Sequence, residues 1–269
     1  YNEDGELDLY LSVDFGDDVL YRNNGNGTFS DVSLAAGITD PQHGMGVTIG
    51  DINNDGCLDV LSTNNTQGLP SDAEHNSSAL YLNNCNGTFT RASDAMGILD
   101  RAVVEWGANF IDFDNDMDLD LSIVAGGMLS GGQPNVLYEN SGSCTAALSD
   151  ITAKSGVSNL GAAFGSAWAD YDNDGDLDWF VANEVGSNVL LRNDSATGNY
   201  LRVRLFGAGA NTQGVGALVK MTAGGVEQSR VIQAGTSYAS AEESIAFFGL
   251  GVKDTADRVS VLWPAGTVT

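Results

Sequence analysis

The chain has 269 residues, 42% of them hydrophobic, and 36 acidic against 11 basic residues give it a formal net charge of -25. Such a charge repels phosphate backbones and anionic membranes, which excludes nucleic acid as a partner. No apolar run approaches the ~18 residues that a membrane helix needs, so the sequence predicts no membrane span within this segment.

An acidic nine-residue loop recurs along the chain. Oxygen-bearing side chains stand at loop positions 1, 3, 5 and 9, and position 7 offers its carbonyl, which suits the six to eight oxygen ligands of Ca²⁺. Two carboxylates about 4 Å apart repel by roughly 4 kcal/mol at an effective dielectric near 20, so a cation is needed to hold them together. The copies are NEDGELD (Asn2 to Asp8, shortened), DINNDGCLD (Asp51 to Asp59), DFDNDMDLD (Asp112 to Asp120) and DYDNDGDLD (Asp170 to Asp178).

The loops therefore predict three calcium sites and a fourth, partial one. Turn-forming preference of Asp, Asn and Gly is the competing explanation, but it does not account for carboxylates alternating in register. The predicted ligands are Asn2, Asp4, Glu6 and Asp8; Asp51, Asn53, Asp55, Cys57 and Asp59; Asp112, Asp114, Asp116, Asp118 and Asp120; and Asp170, Asp172, Asp174, Asp176 and Asp178.

The segments around each loop indicate strands rather than helices. A helix-flanked calcium loop requires a Glu at position 12, where this chain has Ser62, Ile123 and Val181. Each complete loop follows a glycine-containing apolar stretch and leads into an apolar strand, a third strand of the LYxN type and a short fourth strand. A four-stranded unit of about 50 to 60 residues is typical of a β-propeller blade.

These units resemble FG-GAP/VCBS repeats, with the integrin-like DxDxDGxLD calcium loop and an LYxNxGNGTF segment. The resemblance covers about residues 1–198 and implies an all-β chain of propeller blades at 1–40 (partial), about 41–100, 101–158 and 159–198. Met117 in place of the loop glycine, Asn53 in place of an Asp, and the missing start of the first copy depart from the pattern.

Composition changes near residue 199. Residues 1–198 hold 31 acidic and 5 basic residues, whereas 199–269 hold 5 acidic and 6 basic ones. This second segment predicts alternating strands with glycine turns, and NTQGVGALV, SYASAEE, FGLG and VLWPAG in it resemble an ASPIC/UnbV domain, which commonly follows VCBS repeats in secreted acidic proteins. We expect a small C-terminal β domain from 199 to 269.

The cysteines and sequons suggest an extracellular protein. Cys57 and Cys85 lie at ends of successive predicted strands that become neighbours on antiparallel pairing, so a disulfide between them is expected, and Cys144 remains unassigned. Calcium loops also suit a calcium-rich exterior. N-x-S/T acceptor patterns occur at Asn26, Asn64, Asn76, Asn86 and Asn193. Asn64 and Asn76, which lie in a polar insertion, are favoured as glycosylation sites over the other three.

The residues offer little for catalysis. Known nucleophile, zinc and phosphate-loop motifs are absent from the sequence. His43 and His75 are expected at the surface, while Glu105 and Glu184 are the acids that calcium does not claim. Trp168, Trp179 and Tyr171 could stack on a sugar, although core packing is favoured.

We therefore expect no enzyme but an extracellular, calcium-stabilised scaffold or binding module with a protein or glycan partner. The alternative is a secreted enzyme acting on carbohydrate or a secondary metabolite. The incomplete first blade further suggests that its free edge accepts upstream residues or a strand of a neighbouring molecule. A head-to-tail contact of the second kind would build a surface or matrix filament.

Overall fold

The structure is a computed structural model. It describes residues 1–269 except 40–42, 66–76, 99–100, 102, 127–134, 143–146, 158–160, 196 and 265. Cys144, His75 and Asn76 lie outside the described residues. The described part is almost entirely β, as expected, and its two helices, α1 (Ser33–Ala36) and α2 (Thr152–Ser155), have four residues each.

Four antiparallel sheets, here called blades 1 to 4, follow one another along the first three quarters of the chain. Blades 2 and 3 have four strands, whereas blades 1 and 4 have three among the described residues. Blade 1 holds β1 (Leu9–Leu11), β2 (Val19–Asn23) and β3 (Phe29–Asp31). Blade 2 holds β4 (Gly44–Gly50), β5 (Asp59–Asn64), β6 (Ala79–Asn83) and β7 (Phe89–Arg91). Blade 3 holds β8 (Glu105–Ile111), β9 (Asp120–Ala125), β10 (Val136–Glu139) and β11 (Ser149–Asp150), and blade 4 holds β12 (Ala163–Ala169), β13 (Asp178–Asn183) and β14 (Val189–Leu191).

The remaining five strands form the C-terminal domain. They are β15 (Asn199–Arg204), β16 (Leu218–Ala223), β17 (Val226–Val231), β18 (Ile245–Gly251) and β19 (Arg258–Leu262). β15 pairs with β18, and β16 lies between β17 and β19. The predicted tail strands thus correspond to observed ones, while the segment boundaries themselves stay predictions.

Apolar side chains on the two faces of each blade pack against neighbouring blades. Leu61 and Leu80 of blade 2 meet Leu121 and Tyr138 of blade 3 in one buried cluster. Equivalent clusters join blades 1 and 2 and blades 3 and 4. Because strand side chains alternate between faces, successive residues of one strand pack alternately toward the preceding and the following blade.

An asparagine at the end of the third strand links each blade to the one before it. Asn140 donates from Nδ2 to the carbonyl oxygen of Leu119 in its own blade (3.0 Å) and of Ile52 in blade 2 (2.9 Å). Asn83 and Asn193 make the same pair of bonds, to Leu58 and Tyr1 and to Leu177 and Phe113 respectively. The LYxN pattern therefore encodes a contact between blades.

A segment of the C-terminal domain, residues 235–243, crosses the first strands of blades 2, 3 and 4. Ser237 pairs with Val47 of β4, and Glu242 accepts a hydrogen bond from Asn109 of β8. The crossing leaves no room for side chains at three equivalent glycines, where an added Cβ would overlap Trp106 or residues of the crossing segment: Gly46, Gly107 and Gly165. Glycine recurs at this position of the first strands because residues 235–243 pass directly over it.

Asn140→Ala is expected to lower the free energy of unfolding by about 2–3 kcal/mol, because two buried carbonyl groups lose their donor. Denaturant unfolding measures the change. Asn84→Ala is the control, since the Asn84 side chain lies in an exposed turn, and we expect a loss within about 0.5 kcal/mol. Equal losses for the two variants would contradict the inter-blade role.

Candidate metal centres in the acidic loops

The acidic loops bury their first and last carboxylates where two strands of a blade meet. Asp51, Asp112 and Asp170 follow the first strand directly, and Asp59, Asp120 and Asp178 begin the second, all of them at most 7% exposed. The side chains at positions 3, 5 and 7 lie further out, half-buried or exposed. Each loop is thus closed at its base and open to solvent at its rim.

The aspartate at position 9 joins the loop to the end of the third strand. Asp120 accepts hydrogen bonds from the backbone N–H of Phe113 (3.1 Å) and of Asn140 (2.8 Å). Asp59 and Asp178 are bonded in the same way, and Asp8 of the shortened copy accepts from the backbone nitrogens of Asn23 and Tyr1. Position 9 is therefore structural as well as a potential ligand.

The aspartate at position 1 is held differently in different loops. In the second and third loops its oxygens accept the N–H groups of positions 5 and 6, as in Asp51 with Asp55 and Gly56 at 3.0 Å each. Asp170 of the fourth loop has a buried Oδ1 with no hydrogen-bond partner among the described atoms. A buried carboxylate oxygen without a donor is costly, and a cation would satisfy it.

Carboxylate oxygens converge most closely in the third and fourth loops. Oxygens of Asp112, Asp114 and Asp120 lie within 4.8 Å of one another, and so do those of Asp170, Asp172 and Asp178. These are positions 1, 3 and 9. An all-oxygen set of this charge fits a hard divalent cation such as Ca²⁺, which positions 5 and 7 could complete.

The second loop offers an amide instead of a carboxylate at position 3, and the shortened copy has no position 1. Asn53 donates from Nδ2 to Asp55, while Asn2, Asp4 and Glu6 lie exposed. Cys57 at position 7 forms a disulfide with Cys85, with a Cα–Cα distance of 5.7 Å. Its side chain is therefore committed, and only its carbonyl remains for a cation.

The asparagine at position 4 is a functional residue that the ligand pattern does not single out. Asn54 and Asn115 have positive φ values of 53° and 61°, a conformation that Asn tolerates better than most residues. Asn54 donates to the carbonyl oxygen of Met117 (3.2 Å), and Asn115 donates to that of Gly175 (3.1 Å). The side chain at position 4 of one loop is thus hydrogen-bonded to the carbonyl group at position 6 of the next. The recurrence of Asn at position 4 in all three complete copies is the sequence pattern that could have predicted this contact.

Met117 departs from the loop glycine because it packs against another domain. Its φ of 90° is one that glycine adopts without strain. The side chain is 8% exposed and belongs to the apolar core of the C-terminal domain with Phe248 and Leu250. Apolar packing offsets the backbone cost at this position.

Burial raises the pKa values of the clustered carboxyl groups. The pKa of Asp59 rises to about 8, that of Asp112 to about 7, and that of Asp51 to about 6, where Asp55 adds repulsion. Burial likewise raises the pKa of Asp120 well above its ordinary value. A bound cation would reverse this preference for the protonated form.

The sequons divide by burial. Asn64 is fully buried and donates from Nδ2 to Ser77, and the amide of Asn193 is used between blades 3 and 4. Asn26 and Asn86 are exposed, with Oδ1 accepting from the Thr two residues later. Attachment at Asn64 would require its buried nitrogen to become accessible; glycosylation of all five sequons stays a prediction.

The candidate catalytic and stacking residues lie apart from any shared site. Glu105 is buried and bonds to Arg101 at 2.9 Å and to Ser78. Trp168 and Trp179 stack at 5.1 Å within the core, whereas Tyr171 is 49% exposed. Glu184 is half-buried at the edge of blade 4, and His43 contacts Asp14 and Phe15.

Family models match both parts of the chain. The FG-GAP-like repeat model matches residues 1–62 and 112–181, and the ASPIC and UnbV model matches residues 207–269. The chain is therefore similar to FG-GAP-like repeats in its first part and to an ASPIC and UnbV domain in its last part.

Three curated proteins are similar to this chain over nearly its whole length. Cartilage acidic protein 1 of Mus musculus is 28% identical over 96% of this chain and 40% of its own length. Its counterparts from Homo sapiens and Xenopus tropicalis are each 27% identical, over 96% and 97% of this chain and 39% and 40% of their own lengths. The chain thus spans about two fifths of these relatives.

In chelator, the stability of this chain is expected to fall as pH rises from about 4 to 8. The metal-free folded state keeps protons on Asp51, Asp112 and Asp59 that the unfolded chain releases near pH 4. The folded state therefore binds more protons, and the unfolding free energy decreases as pH rises. The decrease is at most about 1.4 kcal/mol per pH unit for each group. Denaturant midpoints at several pH values measure it.

Asp59→Asn is the matched variant, since it removes one titrating group and leaves the overall charge near its original value. We expect it to flatten the pH dependence in chelator. A chelated wild-type protein as stable at pH 8 as at pH 5 would contradict the prediction.

Proposed function

We propose that this chain is a non-catalytic, extracellular β-propeller scaffold or binding module whose acidic loops are stabilised by Ca²⁺. The observation that carries the proposal is the convergence of buried carboxylates in the third and fourth loops, with one buried oxygen of Asp170 unpartnered among the described atoms. Those residues fit a divalent cation that would join the two strands of a blade.

A structural role for the cation is favoured over a catalytic one. In the third loop, the carboxylates at positions 1 and 9 accept backbone N–H groups of the loop and of the residue after the third strand. Neighbouring loops are also joined to each other by Asn54 and Asn115. A cation at this place stabilises the connection between strands and between blades.

An extracellular location is supported by two independent features. The Cys57–Cys85 disulfide is typical of oxidising compartments. The relatives carry the name cartilage acidic protein, and the strong acidity of this chain agrees with that description. No helix among the described residues is long and apolar enough to cross a membrane.

A groove beside blade 1 supports binding of a protein partner. It has a volume of about 610 Å³ and is mainly apolar, with Leu9, Val60, Leu218 and Trp263 among its lining residues. β1 forms one edge of its sheet, whereas the equivalent strands β5 and β9 are paired on both sides. We propose that this edge accepts either upstream residues of the same molecule or a strand of a second copy, and that the second arrangement gives head-to-tail assembly.

Chelation is expected to lower the melting temperature of the chain substantially. With free calcium tenfold above Kd, each site contributes roughly 1.4 kcal/mol, so three sites contribute about 4 kcal/mol. Asp174→Ala should remove about a third of this calcium-dependent gain, measured by calorimetry with and without calcium. Asp94→Asn is the control, because Asp94 is exposed and lies outside the predicted ligand set, and melting curves unaffected by chelator would refute the calcium proposal.

The assembly proposal is tested by sedimentation of the full-length protein in calcium. We expect concentration-dependent oligomers, and Leu9→Asp should reduce them because it places a charge in the apolar groove. Leu34→Asp, on an exposed helix away from the groove, should leave them unchanged. Monomers of the wild-type protein at all concentrations would exclude head-to-tail assembly without affecting the calcium proposal.

A further inference from the structure

Two basic side chains of the C-terminal domain contact the acidic loops, and the charge of a third, Arg230, acts on them without a direct hydrogen bond among the described residues. Lys220 donates to the carbonyl oxygen of Gly56 at 3.2 Å, and Arg202 lies 3.4 Å from Asp170. Arg230 is fixed by hydrogen bonds to Gln228, Ser229 and Phe247, and its charge favours the ionised forms of Asp51 and Asp112. The C-terminal domain therefore covers the loops with positive charge.

The contact between Arg202 and Asp170 has the geometry of an outer coordination shell. The guanidinium group of Arg202 approaches Oδ2 of Asp170 and Oδ1 of Asn173, at 3.4 Å each. The other oxygen of Asp170, Oδ1, is buried and has no partner among the described atoms, and the residue is 7% exposed. One oxygen is thus held by Arg202, while the other is left to bind a cation.

The third loop receives an equivalent contact from a backbone group. Gly249 of β18 donates its N–H to Oδ2 of Asp112 at 3.0 Å, and Gly251 donates to the carbonyl oxygen of Asn115 at 2.8 Å. A Cβ on Gly249 would overlap the Asp112 carboxylate, so glycine is required for this approach. Asp112, Asp170, Arg202 and Arg230 line one shared polar cavity of about 100 Å³.

The charge of Arg202 is partly offset by a neighbour. Its guanidinium also bonds to Glu243 at 3.0 Å, and Glu243 is further bonded to Arg204. Glu243 is shared by the two arginines, so it offsets the charge of Arg202 only in part, and the effect of Arg202 that favours cation binding is its orientation of Asp170. Groups that orient metal ligands in this way typically account for a 10- to 100-fold difference in metal affinity.

We propose that the C-terminal domain supplies the outer shell of the cation sites in the third and fourth loops, with Arg202 as the positioning residue for Asp170. The inference rests on the proposed calcium function and adds a regulatory consequence to it. Because binding free energies are reciprocal, cation binding tightens docking of the C-terminal domain by the same factor by which docking tightens cation binding.

Arg202→Gln and Arg204→Gln form a matched pair for the test. Both remove one positive charge and one contact with Glu243, but only Arg202 contacts Asp170. Terbium luminescence excited through Tyr171, Trp168 and Trp179 reports on the third and fourth loops. The part that Asp174→Ala removes is assigned to the fourth loop, and calcium competition gives its affinity. We expect at least a 10-fold weaker fourth site in Arg202→Gln and an unchanged site in Arg204→Gln.

Amide hydrogen exchange provides the second readout. In the wild-type protein, calcium should increase protection of β15 and β18, and Arg202→Gln should lose most of this increase at β15. Calcium binding by the other loops, measured by calorimetry, checks that the variant remains folded.

The outcomes separate the two proposals. A wild-type protein that binds neither terbium nor calcium would overturn the proposed function, and this inference with it. A wild-type protein that binds while Arg202→Gln binds equally tightly or more tightly would overturn the inference alone. A tenfold loss in both variants would also overturn it, because the effect would then come from charge and not from the orientation of Asp170.

Discussion

The fold depends on carboxylates that are buried in pairs at the junction of strand and loop. Asp112 and Asp120, 1% and 0% exposed, stand at the ends of two neighbouring strands of one blade. Burial disfavours their charged forms, and their mutual repulsion disfavours closeness. Backbone N–H donors from the loop and the third strand, and basic groups from the C-terminal domain, act against both costs. The stability of the acidic loop therefore depends on these N–H donors and basic groups around it.

The same loop also connects the blades, which explains why its parts recur together with the LYxN strand. Asp120 binds the N–H of Asn140, and the side chain of Asn140 binds the preceding blade at Ile52. A cation that fixes Asp120 thereby also fixes the link to the preceding blade. Changes in one loop would propagate along this hydrogen-bonded series, although each blade keeps its own apolar core.

Local patterns in the sequence predicted the strands, the acidic loops and the β character of the C-terminal segment, because period-two apolar residues and alternating carboxylates are local signals. Contacts between distant segments could not be predicted in this way. Gly46 and Gly107 are small because residues near 237 cross them, about 190 and 130 positions later in the chain. Met117 looked like a defect of the loop, but it is a core residue of another domain. Asn64 looked like a surface acceptor because its burial arises from packing that the sequon does not record.

The charge difference between the repeats and the C-terminal domain has to be interpreted from the contacts that the C-terminal domain makes. As a property of two outer surfaces, it would favour contacts between molecules. Arg202, Lys220 and Arg230 are instead directed at acidic loops of their own chain, so their charge is already used within the molecule. Attraction between copies, as proposed above, would then rest mainly on apolar surface such as the groove along β1, which Leu9 lines. Each copy also carries a net charge of -25, and salt screens the repulsion between like-charged copies, so assembly by strand addition is expected to strengthen as ionic strength rises.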